Sequence, residues 1–455
     1  MAEFARVVRR IPVGCSAWIL VVVATAVLGA GSAVAAGSVA VPRLDALYPT
    51  LDALYLDLHR NPELSTQEKL TAAKLALRLR EAGFEVTEEV GGHGIVGVLR
   101  NGAGPVVMLR TDMDALPVRE ETGLEYASRV VVKNAAGENV PVMHACGHDA
   151  HMASWVGAAT VLAAAKDRWN GTLVFLGQPA EEVVQGAKRM IADGLFTRFP
   201  KPDYVLGIHV SNALPAGTIG VVSGPASAAS NAVDITFYGK GGHGATPHRT
   251  VDPVVIAARA VVTLQTIVSR EVDPFDAAVV TVGVMRAGSK RNVIPDEARL
   301  ELTVRSYKPE LQEKLLGAIE RIARAEAAAA GANRAPDVRV IAEEASEVVV
   351  NDPELAARLT SALRRVLGEE RVVPAEPVTT SEDFGMLGRV AAAPSIQFRI
   401  GACEAEALAK AKAAGTLPPG PHNSNFAPVR EPTIRAGVEL FAVTVMELMG
   451  GHAAK

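Results

Sequence analysis

Three short apolar runs constrain this chain more than any other feature. Pro105–Leu109, Gly171–Leu176 and Tyr204–Val210 are continuous rather than alternating, the pattern of strands buried on both faces. Helical patterns lie around and between them. Leucines 44, 47, 51, 54 and 58 recur at helical spacing, with Pro49 kinking the helix or marking its true start, and Thr66–Ala82 reads as a second amphipathic helix ending at Gly83. Ala150–Lys166 and Gly186–Asp193 read as helices, and Phe84–Val90 and Gly94–Leu99 as further strands. Strands alternating with helices predict an α/β layer fold with a mostly parallel sheet and flanking helices. Sites in such sheets lie beyond the carboxyl ends of the strands. Arg110-Thr-Asp112, Gln178–Glu182 and His209 each end or closely follow an apolar run, so chemistry is expected there.

Between these strands runs Val142-Met-His-Ala-Cys-Gly-His-Asp-Ala-His151. A chain with ten histidines and three cysteines places three and one of them in this one stretch. Cys146 and His148 are the candidate metal ligands, since thiolate and imidazole are donors that first-row divalent metals prefer. The adjacent pair Glu181-Glu182 repels unless a cation sits beside it. One carboxylate of such a pair can ligate while the other acts as general base. Asp112 and Asp114 are placed to orient an imidazole ligand. His209 ends its apolar run, and His422 sits in a Pro/Gly loop; alone, neither points to a site. His243 lies in the glycine cluster Gly239–Pro247, where the backbone can approach a ligand closely.

The pattern changes at the small-residue tract Gly224–Ser230, which reads as a hinge. Ala232–Tyr238 alternates, Pro253–Ser269 is helical, Ala278–Met285 and Ala298–Ser306 are strands, Pro309–Ala329 is a long helix and Gly331–Asp337 a loop. These predict an inserted α+β domain with an open-faced sheet. After about residue 345 the first style resumes with helix Pro353–Leu367, strand Ser395–Ile400 and helix Thr433–Met449. The expected organisation is a segment 1–36, a catalytic domain in two parts (42–224 and 345–452) and an insertion over 226–338.

Residues 1–36 resemble a secretory signal peptide. Arg6, Arg9 and Arg10 precede the apolar run Cys15–Ala30, and Ala33-Val-Ala35 offers a small-residue cleavage site. An exported protein is expected, with an uncleaved N-terminal anchor as the alternative. Removing residues 1–35 takes away three arginines and one glutamate, so the net charge of −4 becomes −6. With aromatics at 4%, that balance argues against nucleic acid and anionic membranes as partners. No other stretch reads as apolar for 18 residues, so a soluble body is expected after cleavage.

Several stretches in order carry a family resemblance. They are His59-Arg-Asn-Pro-Glu63, Arg110–Leu116, His144–Asp149, Gln178–Glu182, Gly239–Pro247, Asn292-Val-Ile-Pro295, Ser381-Glu-Asp-Phe384 and His422–Phe426. The chain resembles the M20 metallopeptidase and amidohydrolase family, in the branch of hippurate hydrolases, auxin-conjugate hydrolases and N-acyl-L-amino-acid amidohydrolases. The resemblance implies a di-metal exopeptidase-like catalytic domain, an inserted lid and dimerisation domain, and two divalent ions per subunit. Cys146, His148, Glu182, His209 and His422 would be ligands, and cysteine, histidine and glutamate suit Zn, Mn, Co or Ni. Glu181 would be the general base, and His243 would steady the oxyanion, in many relatives across a dimer interface. Asn292 and Arg305 would grip the substrate carboxylate, and Asp149 and His151 would take supporting positions. Lid closure would bring His243, Asn292 and Arg305 over the metals.

The chain departs from the wider family at three stretches. Arg110-Thr-Asp112 stands where many members have His-x-Asp, and Cys146-Gly-His148 stands where a bridging Asp is usual. Val183-Val-Gln185 also replaces a Gly-rich stretch. The implied activity is hydrolysis of N-acyl amino acids. An exported carboxypeptidase or dipeptidase is the alternative, and a non-catalytic metal- or peptide-binding protein a more distant one.

Overall fold

The computed structural model describes residues 44–450, so the expected signal segment at 1–36 lies outside the described residues. The apolar runs assemble into an eight-stranded sheet. Its centre is parallel throughout: Gly171–Gln178, Val106–Asp112, Tyr204–Pro215 and Ser395–Cys403 lie side by side in that order. Gly94–Asn101 and Glu85–Val90 add antiparallel on one side. Ile219–Val221 and Val372–Pro374 finish the other. Strand Ser395–Cys403 is buried along its whole length, its polar Gln397 and charged Arg399 included.

Helices cover both faces. Leu44–Arg60, Lys69–Glu81, His148–Ala164, Pro353–Leu367 and Arg430–Met449 pack one core, with Trp155 and Phe441 fully buried. Gly186–Ala192 and Phe384–Ala391 pack a smaller core on the other face. The first helix keeps Pro49 inside it and starts at Leu44 among the described residues.

A second sheet has its own core. Ala278–Ala287, Glu297–Ser306, Ala229–Tyr238 and Asp337–Ser346 form four antiparallel strands. Helices Pro253–Thr266 and Pro309–Ala329 cover one face over Val233, Ile235, Phe237, Leu300 and Leu302. The opposite face carries Asp234, Arg299, Glu301 and Arg339, so it is open as the alternation predicts.

Three features add to these expectations. The fourth strand, Asp337–Ser346, was not anticipated, so this sheet runs past residue 338. The tract expected as a hinge forms a short ribbon, in which Gly224–Ser227 pairs with Val349–Asn351 where the chain enters and leaves the second sheet. And the helical stretch Pro253–Glu271 is apolar and long enough to cross a membrane by composition. Its Ile256, Ala257, Ala260 and Leu264 pack into the core of the second sheet, whereas Val255 and Val262 on the same helix are exposed.

Candidate metal centre

The carboxyl ends of the parallel strands meet the start of helix His148–Ala164. Gly147 makes the turn into that helix with φ of 79°, a conformation that disfavours side chains. A Cβ there would also lie 2.7 Å from Val210 Cγ2, so glycine is required twice over. The turn sets Cys146 and His148 side by side at the sheet end.

Each candidate donor is aimed by a neighbour. His148 Nδ1 donates to the Asp114 carbonyl at 2.8 Å, which turns Nε2 inward. His209 Nδ1 donates to the Val210 carbonyl at 2.8 Å and leaves Nε2 3.5 Å from Cys146 Sγ. Burial, His151 and Arg399 hold His209 well below the usual imidazole range, so it is a neutral donor. Glu182 is fixed through its backbone N–H, which donates to Asp114 Oδ2 at 3.0 Å. His422 adopts φ of 69° and is tied back by a bond from its N–H to the Ala145 carbonyl at 2.8 Å. That brings its Nε2 3.2 Å from Glu182 Oε2.

The five donors fall into two triads, Cys146–His148–His209 and Cys146–Glu182–His422, each with its ligand atoms within 4.8 Å of one another. Cys146 belongs to both. His148 Nε2 and Glu182 Oε1, 3.8 Å apart, are buried and have no hydrogen-bond partner. Orphaned polar atoms of this kind are rare in folded proteins. Burial and the carboxylates of Glu182 and Glu181 push the Cys146 thiol well up, so a thiolate needs a cation beside it. Burial works against charge on His148, yet Asp112, Asp114 and Glu182 more than offset this and raise it to about 10. Donor chemistry and orphaned atoms together fit divalent metal ions.

The supporting residues are also assembled. Asp112 Oδ1 pairs with His151 Nδ1 at 2.7 Å, and His151 Nε2 accepts from the Val210 N–H at 2.9 Å. Both nitrogens of His151 are therefore engaged, which makes it a brace. Asp149 contacts His59 Nδ1 at 2.6 Å, and His59 Nε2 reaches Glu120 Oε1 at 3.0 Å.

Glu181 points into the same site, with Oε2 3.8 Å from His148 Nε2. Its loop is strained, with Ala180 at φ 53° and Val184 at φ 55°. Buried Glu68 holds that loop by accepting from the Ala180 N–H at 2.8 Å. Val184 occupies part of the stretch where the family resemblance implies glycine, the residue best suited to such a φ. Burial and the neighbouring Glu382, Glu182 and Asp383 push the Glu181 carboxyl well above the usual range, against the pull of Arg110.

Arg110 orders the acids behind Glu181. It pairs with Asp112, with Glu382 at 2.9 Å and with Asp383 at 3.2 Å, and donates to Gln178 Oε1 at 3.0 Å. Glu68, Glu120, Glu382 and Asp383 had no role assigned from sequence. Only Ser381–Phe384, as a matching motif, hinted at the last two.

The donors open into a cavity of about 630 Å³, lined among others by Cys146, Glu181, Glu182, His209, Arg305 and Arg399. Arg305 reaches it from the second sheet and donates to the Thr379 carbonyl at 2.8 Å. His243 and Asn292 are brought together instead, through the Gly244 N–H to Asn292 carbonyl bond at 2.9 Å. Both are exposed and outside the cavity lining, so a single chain does not set them over the donors.

A mostly parallel α/β sheet with two triads of candidate metal ligands at its carboxyl end and a smaller sheet beside it fits a metal-dependent hydrolase. The chain belongs to Peptidase family M20/M25/M40, which it matches over residues 108–446. It is 39% identical over 335 residues to a hippurate hydrolase of Campylobacter jejuni, spanning 72% of this chain and 82% of that one. It is 37% identical to thermostable carboxypeptidase 2 of Saccharolobus solfataricus, over 76% of this chain and 84% of that one. Among solved structures, a Bacillus subtilis protein described as a dinuclear metal binding peptidase of the M20 family superposes with a TM-score of 0.71. Its identity is 29%, over 89% of this chain and 99% of that one.

Proposed function

We propose that this chain hydrolyses the amide bond of N-acyl amino acids, with Glu181 as general base. The observation that carries the reading is that Glu181, Arg305 and four of the five donors, Cys146, Glu182, His209 and His422, line one cavity, with His148 buried behind Cys146 and His209. Cys146, His148, Glu182, His209 and His422 would hold two divalent ions, which would supply Lewis acidity and make water easier to deprotonate. Arg305 grips the α-carboxylate of the substrate with its guanidinium fork. Glu181 removes a proton from the attacking water as the acyl carbon becomes tetrahedral, then delivers it to the leaving amine. Burial and the carboxylates around Glu181 raise its affinity for a proton, which suits a group that must take one from water and hold it. The insertion acts as a lid and dimerisation domain: His243 steadies the oxyanion, from this chain on closure or from a second copy across a dimer, and Asn292 helps Arg305 to seat the carboxylate. The N-terminal segment directs export.

A peptide C-terminus offers the same carboxylate, and the Saccharolobus relative named a carboxypeptidase supports that second reading. Metal-reconstituted protein should be tested on N-acetyl, N-benzoyl and indole-acyl amino acids beside dipeptides. Faster turnover of acyl amino acids is expected, and a preference for dipeptides would favour the peptidase. Glu181→Gln is expected to lower kcat by about a thousandfold or more with metal content intact. Full activity in that variant would remove Glu181 from the mechanism.

A further inference from the structure

Arg399 is a buried cation that the proposed mechanism leaves unused. It lies on strand Ser395–Cys403 in register with His209, lines the same cavity and is 5% exposed. Nη1 donates to Gln397 Oε1 at 3.1 Å, and Nη2 to Ser227 Oγ at 2.8 Å and the Ala226 carbonyl at 3.3 Å. All three acceptors are neutral. Nε is buried and has no partner. Glu382 is reached only at one remove, through a 2.7 Å bond from Gln397 Nε2.

The contrast with Arg110 is sharp, since that buried guanidinium pairs with three carboxylates. A buried charge without a counter-ion is expensive. A guanidinium that lines a binding cavity with only neutral partners is where an incoming anion would offset that cost. Arg305 already serves one carboxylate, and it enters from the second sheet, whereas Arg399 stands on the central sheet beside His209.

We propose that Arg399 recognises a second carboxylate of the substrate, so that the preferred substrates are N-acyl amino acids bearing a further acid group. This rests on the amide-hydrolase reading above. The acid can belong to the amino-acid side chain or to the acyl arm, and matched substrates separate the two sources.

Metal-loaded wild type, Arg399→Gln and Arg399→Lys would be compared on N-acetylmethionine, N-acetylglutamate and N-succinylmethionine. At least one diacid is expected to exceed the monoacid in kcat/KM by about tenfold. That ratio is expected to fall about tenfold in Arg399→Gln and less in Arg399→Lys. The diacid that responds identifies the source. No diacid preference in the wild type overturns the proposal. So does a uniform loss across all three substrates in a folded Arg399→Gln protein, which would make Arg399 a brace for the 224–227 ribbon or the holder of the α-carboxylate.

If the wild type hydrolyses none of the three, the amide reading fails separately. Calorimetric titration of the same metal-loaded protein with glutarate and with butyrate then decides on Arg399. Tighter binding of glutarate that weakens in either variant supports the second-carboxylate site, and equal binding of the two acids by the wild type overturns it.

Discussion

At the scale of single residues, His59 illustrates how one side chain can tie function to stability. Burial disfavours its charge, but hydrogen bonds to Asp149 and Glu120 prevail and raise it to about 9. A histidine raised in the folded state stabilises fully below its unfolded value of 6.5, and that contribution is lost as pH rises through 9. The expected contribution is about 3 kcal/mol. Urea unfolding of wild type and His59→Gln between pH 6 and 9.5 should show the difference between them shrinking across that window. A constant difference would mean that His59 is uncharged in the fold. Arg110 carries a larger stake. Arg110→Met leaves Asp112, Glu382 and Asp383 without their common cation, and a loss of about 3–5 kcal/mol is expected in chemical denaturation.

At the scale of elements, the strand ends and the turn into helix His148–Ala164 make the site. Gly147→Ala forces a side chain into a left-handed turn and against Val210. A loss of about 2 kcal/mol in stability, together with reduced metal content, is expected. Unchanged metal content would separate the turn from the centre. These elements were legible because their signals are local. The apolar runs marked the parallel strands, and Cys146-Gly-His148 marked the turn. The fourth strand of the second sheet was less visible: Val338 and Val340 alternate, but the consecutive Glu343 and Glu344 near its far end break the alternation. Glu68, Glu120 and Glu382 were not legible as parts of the site. Each is an ordinary acid in sequence, and its meaning comes from partners that the fold brings in, such as the Ala180 N–H, His59 and Arg110. The shared position of Cys146 between two triads is likewise a property of packing alone.

At the scale of the molecule, one chain brings Arg305 to the cavity and leaves His243 and Asn292 exposed outside it. If the site is completed across a dimer, mixing His243→Ala with Glu181→Gln should restore turnover that neither variant has alone, because one mixed site regains both groups. No restoration after confirmed subunit exchange would place the work of His243 elsewhere. The two triads imply a defined metal stoichiometry. Metal content per subunit, measured by plasma mass spectrometry after reconstitution, would be compared in wild type, His209→Gln, His422→Gln and Cys146→Ser. The expected result is two divalent ions in the wild type, one fewer in each histidine variant, and weakened retention of both ions in Cys146→Ser. Two tightly held ions in Cys146→Ser, or no change in either histidine variant, would contradict the assignment.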